Sequence, residues 1–263
     1  MRIGAVVALV AAMVAGACSG RGLFRDYEYE EELYLSLDGR ATIYVNSSVA
    51  ALVALRGAPL EARPNLPVDR SAVRAYFATR SSAITSELLV RPTDPSDASI
   101  ESAASTGARV APVRTSRRRG RPFVHVRVDI DDLRQASEMA AFAWSSYQFE
   151  KKGDALVFHQ TIGAASGGVP ARVKWNGDER VAFRLHLPSR ILFHNSTERV
   201  ERGNILGWEQ TLADRLRGVP LMIEVRMEEE SILFRTLSLF AGAIAAVALM
   251  FGVVIWWVRN KAG

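Results

Sequence analysis

Cysteine is all but absent: Cys18 stands alone in 263 residues. A lone thiol excludes an internal disulfide, so the core must be held by packing. Histidine is scarce as well. His125, His159, His186 and His194 fall in separate stretches without HExxH spacing, so no metal site is expected. No serine sits in a GxSxG elbow, which leaves a nucleophile-based hydrolase without a foothold. The glycine-rich stretch GAASGGVP at 163–170 lacks the Lys-Ser/Thr of a phosphate-binding P-loop and reads as a plain loop. Asp129 and Asp131 are spaced for one face of a strand, yet strand-end carboxylates are ordinarily solvated charges. The expectation is therefore no enzyme, no catalytic residue and no cofactor. A net charge of only +5 is too small to argue for nucleic acid.

What is present in force is apolar sequence at both ends. Residues 237–258 read LSLFAGAIAAVALMFGVVIWWV without a charge. At about 1.5 Å per residue such a helix rises roughly 33 Å, enough for a hydrocarbon core of about 30 Å. Trp256 and Trp257 stand at its far end, where indoles favour headgroups, and Arg259 and Lys261 follow. The positive-inside rule then places the short tail in the cytoplasm and the preceding chain outside. Gly242 and Ala246 have the spacing of a helix-packing face, which leaves oligomerisation open.

The other end is a different device. Met1 and Arg2 form a minimal positive region, residues 3–14 are apolar but too short to span, and Ala15-Gly16-Ala17-Cys18 looks like a lipobox. Such a signal is cut before the cysteine, whose new N-terminus is acylated, and that lipidation accounts for the lone thiol. An ordinary cleaved signal peptide and an uncleaved anchor are the alternatives. The expected division is 1–18 lipoprotein signal peptide, 19–231 extracytoplasmic domain, 232–258 transmembrane helix and 259–263 cytoplasmic tail. This describes a lipid-anchored, single-pass protein of a bacterial cell membrane with its domain on the periplasmic side. With both anchors in one bilayer, the first strand should begin, and the last should end, close to it.

Within the domain, Tyr29, Glu31, Leu33, Leu35 and Leu37 alternate against Glu28, Glu30, Glu32, Tyr34 and Ser36 in strand fashion, which puts Glu31 on the apolar face, and Asp38-Gly39 turns the chain into a second strand at 41–48. Ser47 or Ser48 can cap a helix ending at Gly57, and Asp69 a second helix carrying Val73, Tyr76 and Phe77. Further strands are expected at 83–90, 123–130, 147–150, 155–162, 181–187, 191–193, 205–208 and 221–227, with short helices at 133–143 and 210–217. The fold class is α+β: a mainly antiparallel sheet with two or three packed helices, plus the C-terminal transmembrane helix.

Residues 91–120 are rich in Pro, Ser, Thr, Gly and Ala and read as a flexible loop or insertion. Its end carries Arg114, Arg117, Arg118 and Arg119, with Arg121 just beyond. The plain reading is a solvated charge run; the functional one is a patch meeting anionic lipid headgroups or a polyanionic envelope polymer.

Residues 180–217, RVAFRLHLPSRILFHNSTERVERGNILGWEQTLADRLR, resemble the closing part of the LppM-type bacterial envelope domain. The matching positions are Pro188, Asn195, Gly203, Asn204 and Trp208. The layout of lipobox, α/β domain and single C-terminal span is similar too. The chain departs from that family in the longer 91–120 loop and the helix-like 211–217 piece. The resemblance implies non-catalytic binding of a lipid, amphiphile or envelope glycolipid. A scaffold or assembly factor contacting other envelope proteins is the alternative, and nucleic acid is not an expected partner. Read from the residues alone, Pro188 and Gly203 are turn devices and Trp208 belongs to the core.

Overall fold

The computed structural model describes residues 27–81, 107–170, 173–198 and 204–261. The signal, Cys18, the strand expected at 83–90 and Gly203 lie outside the described residues.

Alternation makes β1 (Tyr27–Leu35), which buries Tyr29, Glu31, Leu33 and Leu35 and turns Glu30, Glu32 and Tyr34 outward. The turn at Gly39 returns the chain as β2 (Ala41–Ser48), paired from Leu35↔Ala41 to Tyr29↔Ser47. Ser48 then caps α1 (Val49–Arg56), its hydroxyl accepting from the Ala51 N–H at 3.1 Å. Gly57 ends that helix at φ +62°, a left-handed turn that glycine adopts without a Cβ clash. Asp69 caps α2 (Arg70–Ala78).

Two sheets face each other. The larger runs β10 (Ile205–Thr211), β8 (Arg180–His186), β1, β2, β5 (Arg121–Ile130), β3 (Ala108–Val110), with β4 (Arg114–Arg118) also on β5. The smaller runs β6 (Ser145–Lys152), β7 (Ala155–Ile162), β11 (Leu221–Ser231), β9 (Ser189–His194). One apolar cluster joins them, with Tyr29, Phe183 and Trp208 from the first and Phe158, Ile223 and Val225 from the second. The α+β class with mainly antiparallel pairing holds. One pair departs from the hairpin pattern: β1 and β8 run parallel, because the chain reaches β8 only after visiting the smaller sheet.

Two expectations change. Of the loop at 91–120, residues 91–106 are outside the described residues, whereas Ala108–Val110 and Arg114–Arg118 are strands on β5. β4 is polar on both faces and mostly exposed, so it offers no buried alternation to read. The helix expected at 133–143 is a 3₁₀ segment, Leu133–Glu138, followed by turns. It buries Leu133 and Ala136, spaced by the three residues of a 3₁₀ turn.

The direction of these strands gives the domain two poles. β11 leads without a break into α4 (Ile232–Lys261), whose first N–H donates to the Pro188 carbonyl at 3.1 Å. None of α4 is buried against the domain, and it is long and apolar enough to cross a membrane. At this helix-side pole lie the β1–β2, β6–β7 and β8–β9 turns, since β1 ends beside β8 and Ser189 pairs with Ser231. β1 therefore begins at the far pole. The expectation that the first strand starts where the last strand ends is overturned by the parallel β1–β8 register.

The 180–217 segment stitches the two sheets together. Asn195 accepts from the Trp208 indole at 3.2 Å and the Glu224 N–H at 3.0 Å, and donates to the Met222 carbonyl at 2.9 Å. Asn204 donates to the Ser189 carbonyl. A short α3 (Leu212–Leu216), capped by Thr211, follows β10. Trp208 is a core residue, 1 % exposed.

Candidate functional site

The helix-side pole carries a polar depression of about 360 Å³. The end of β1 supplies Tyr34, the β1–β2 turn Arg40, β3 Arg109, and the end of β5 Arg127 and Asp129, with Asp131 just beyond it. Antiparallel register brings them together: Ala41 and Ala108 both lie opposite Ile130. Arg127 and Asp129 form a tight pair at 2.9 Å, and Thr42 donates to Asp129 at 2.7 Å. Burial pushes the Asp129 carboxyl up, but the Thr42 and Arg127 donors outweigh it and hold it below its ordinary value. That engagement fits poorly with acid–base work, which needs a proton to leave and return. Arg40 and Arg109 are held loosely instead, 3.5 Å from Asp38 and 3.7 Å from Asp131, and both are well exposed. Two guanidinium groups with donors to spare thus flank the opening.

One wall of the depression leads back to α4. Tyr34 stacks on His186 at 3.8 Å between centroids and meets Tyr44 edge-on at 5.4 Å. His186 stands two residues before Pro188, whose carbonyl receives the first N–H of α4. The depression and the apolar helix therefore open on one end of the molecule.

The arginine run stands elsewhere. β5 begins at the far pole, so Arg117, Arg118, Arg119 and Arg121 lie a full ten-residue strand, about 30 Å, from the helix-side turns. They do not act alike. Arg121 pairs with Glu28 and Glu179 and donates to the Lys174 carbonyl at 2.8 Å, which ties β5 to β1 and the 173–179 loop. Arg117 donates to the Pro64 carbonyl. Arg118 lies over the Phe123 ring at 5.1 Å, and Arg114 stands exposed opposite His125.

Between the sheets is a charged cluster that single residues of the sequence did not announce. Glu31, on the inner face of β1, pairs with Arg56 of α1 at 2.7 Å, each side chain only 2 % exposed. Tyr29 donates to it at 2.7 Å, and Tyr147 and Gln160 at 3.3 Å. Arg215 is fully buried and donates to the Val219 carbonyl at 2.6 Å and to the Gly163 carbonyl. The Trp144 ring lies 3.7 Å from the Arg56 guanidinium and 4.9 Å from that of Arg215. Burial pushes Glu31 up to about 7 against the pull of Gln160, Tyr147 and Arg215. Burial also pulls Arg56 down to about 9 and Arg215 down to about 10. The alternation of β1 already marked position 31 as inward; its partners come from segments remote in sequence.

His125 sits between Ser116 (2.8 Å from Nε2) and Asn46 (2.9 Å from Nδ1). The order of groups is that of a nucleophile, base and orienting amide, but Ser116 stands exposed on a flat hairpin face where water competes for it. The chain of bonds fixes the imidazole on the sheet. Among the described residues no group of three His, Cys, Asp or Glu side chains is arranged to hold a metal.

No protein-family model matches the chain, and none of the curated proteins does. Among solved structures, the folded domain of LppM from Mycobacterium tuberculosis, determined by NMR, is similar to it with a TM-score of 0.39 and 11 % identity. The alignment covers 80 % of this chain and 95 % of that one. A likeness of that degree leaves the reading of the site to the residues themselves.

Proposed function

We propose that this chain is a membrane-anchored envelope domain that binds a lipid or amphiphile at its helix-side pole, without catalysis. The observation that carries the reading is the shared end of the molecule: the arginine-flanked depression opens beside the start of an apolar helix. With α4 in a bilayer, Arg40 and Arg109 stand over the headgroup layer, where each basic residue contributes about 1 kcal/mol near an anionic surface. Membrane lipid or an envelope glycolipid is then the partner, met by its polar part, and the extracytoplasmic side follows from Arg259 and Lys261.

Acylation of Cys18 belongs to the same proposal, with a geometric condition. Nine residue steps separate Cys18 from Tyr27, a reach of at most about 30 Å. Because β1 begins at the far pole, a lipid on Cys18 meets the bilayer of α4 only if those steps run nearly extended along the domain. Intact mass of the full chain and of Cys18→Ser would show the acyl groups directly.

The reading is tested with the full chain in nanodiscs of anionic and of zwitterionic lipid, by hydrogen exchange. Slower exchange at 36–42, 107–110 and 127–131 in anionic discs, abolished by Arg40→Glu with Arg109→Glu, is the expected result. Equal exchange in both lipids and in detergent would remove its basis. The scaffold reading has one observation of its own: edge strand β9 presents Leu192 and Phe193, 52 % and 45 % exposed. An edge of that kind can pair with another chain, and cross-linking through β9 to an envelope protein would favour that reading.

A further inference from the structure

We infer that the outer face of the β4–β5 hairpin binds an extended phosphate-bearing polymer, held away from the bilayer that α4 enters. The position comes first. The hairpin tip stands at the far pole, about 30 Å from the turns beside α4 along β5, so it does not reach the headgroups of that bilayer. A partner for it must come from the opposite side.

The chemistry of the face comes second. Arg114, Ser116 and Arg118 occupy alternate positions of β4 and project from one face at steps of roughly 7 Å. Arg118 lies over the Phe123 ring. His125, bonded to Asn46 and Ser116, holds the Ser116 hydroxyl between the two guanidinium groups. Burial, then the positive charge of Arg118 and Arg114, pushes the His125 imidazole below its ordinary value, so both arginines project their field onto this face. A planar carboxylate is satisfied by one guanidinium fork. Phosphate offers acceptor oxygens in several directions, which suits two forks with a hydroxyl between them. The face is an open strand surface, so several groups in a row along it fit better than one enclosed ion.

The hairpin tip adds a third point. Arg119 has φ +49° and Gly120 φ +77°, the geometry of a two-residue hairpin turn whose first position usually holds Asn, Asp or Gly. An arginine kept in the left-handed region is an outlier of the sort that clusters at binding sites.

The test uses the full chain in nanodiscs of zwitterionic lipid, with anisotropy of a fluorescent inorganic polyphosphate chain as readout. Binding at low ionic strength is expected, weakened at least tenfold by Arg114→Glu with Arg118→Glu. Lys151→Glu with Arg190→Glu, two exposed cations of the smaller sheet, should leave it unchanged, which separates this site from general attraction to positive charge. Orthophosphate at equal phosphate concentration should compete poorly. Arg114→Gln with Arg118→Gln, checked by circular dichroism, gives the same reading should charge reversal disturb folding. No binding at low salt, or binding that survives both double variants, would overturn the proposal. So would displacement of the probe by anionic vesicles at matched phosphate, which would make a second membrane the partner.

Discussion

Glu31 and Glu32 are neighbours on one strand and live in opposite conditions. Glu31 faces inward to Arg56, Tyr29, Tyr147 and Gln160 and is 2 % exposed. Glu32 faces outward to His186, Arg184 and Tyr34 on the open face of the larger sheet. Burial lifts the first carboxyl to about 7. The hydrogen bond from His186 lowers the second, with burial opposing. The period of two along a strand thus sets which charge is structural and which is on display.

The largest effect is expected from the cation side. Arg56→Ala leaves Glu31 buried without its guanidinium, and a loss of about 3–5 kcal/mol is expected in chemical denaturation. Arg184→Ala removes the outer-face partner of Glu30 and Glu32, and the loss there should stay near or below about 1 kcal/mol. Comparable losses from the two variants would mean that the cluster is less dry than it looks.

The second test is pH. Glu31 titrates higher in the fold than its ordinary 4.5, so it binds a proton more tightly when folded. Its contribution is fully present below about 4.5 and is lost as pH rises through about 7, an amount of roughly 3 kcal/mol at most. Wild type should lose stability from pH 4.5 to 8 through this group, and Glu31→Gln should flatten that slope. A slope unchanged by the substitution would assign the linkage to another residue.

Gly167 sharpens the boundary between inside and outside. The 163–170 loop straps the end of α1, with the Ser166 N–H on the Leu55 carbonyl at 3.0 Å, and a Cβ at Gly167 would collide with the Val53 carbonyl. Gly167→Ala should cost about 1–3 kcal/mol by lifting the strap, and iodide quenching of tryptophan should rise as Trp144 opens to solvent. The smallest effect is expected on the display side. Glu32→Gln should change stability by less than about 1 kcal/mol. The lost contribution is one that wild type has at neutral pH and forfeits as pH falls through the lowered Glu32 value, opposite in sign to that of Glu31.

Much of this was legible in the residues. Alternation at 28–37, the strands at 123–130 and 155–162, and the caps at Ser48 and Asp69 all became the elements they signalled, because period and capping chemistry are read within a few positions. A polar edge strand such as β4 has no buried face to pattern, so its residues carry no strand signal. The 3₁₀ segment buries only Leu133 and Ala136, a three-residue spacing that a short α-helix shares. Of the candidate site, the arginines were visible as a run. Their separate fates, Arg121 in a double ion pair and Arg114 on open display, depend on strands that the run itself does not contain.

By itself the sequence determined the apolar helix at 232–258, the strand-rich α+β middle and the inward place of Glu31. These follow from local periodicity and hydropathy, which need no partner to be read. Only the tertiary structure decided that β1 runs parallel to β8, and with it which end of the domain faces α4 and which carries the arginine hairpin. Strand direction is fixed by pairing between segments some 150 positions apart, as with Glu31↔Phe183, where the gain comes from one shared core.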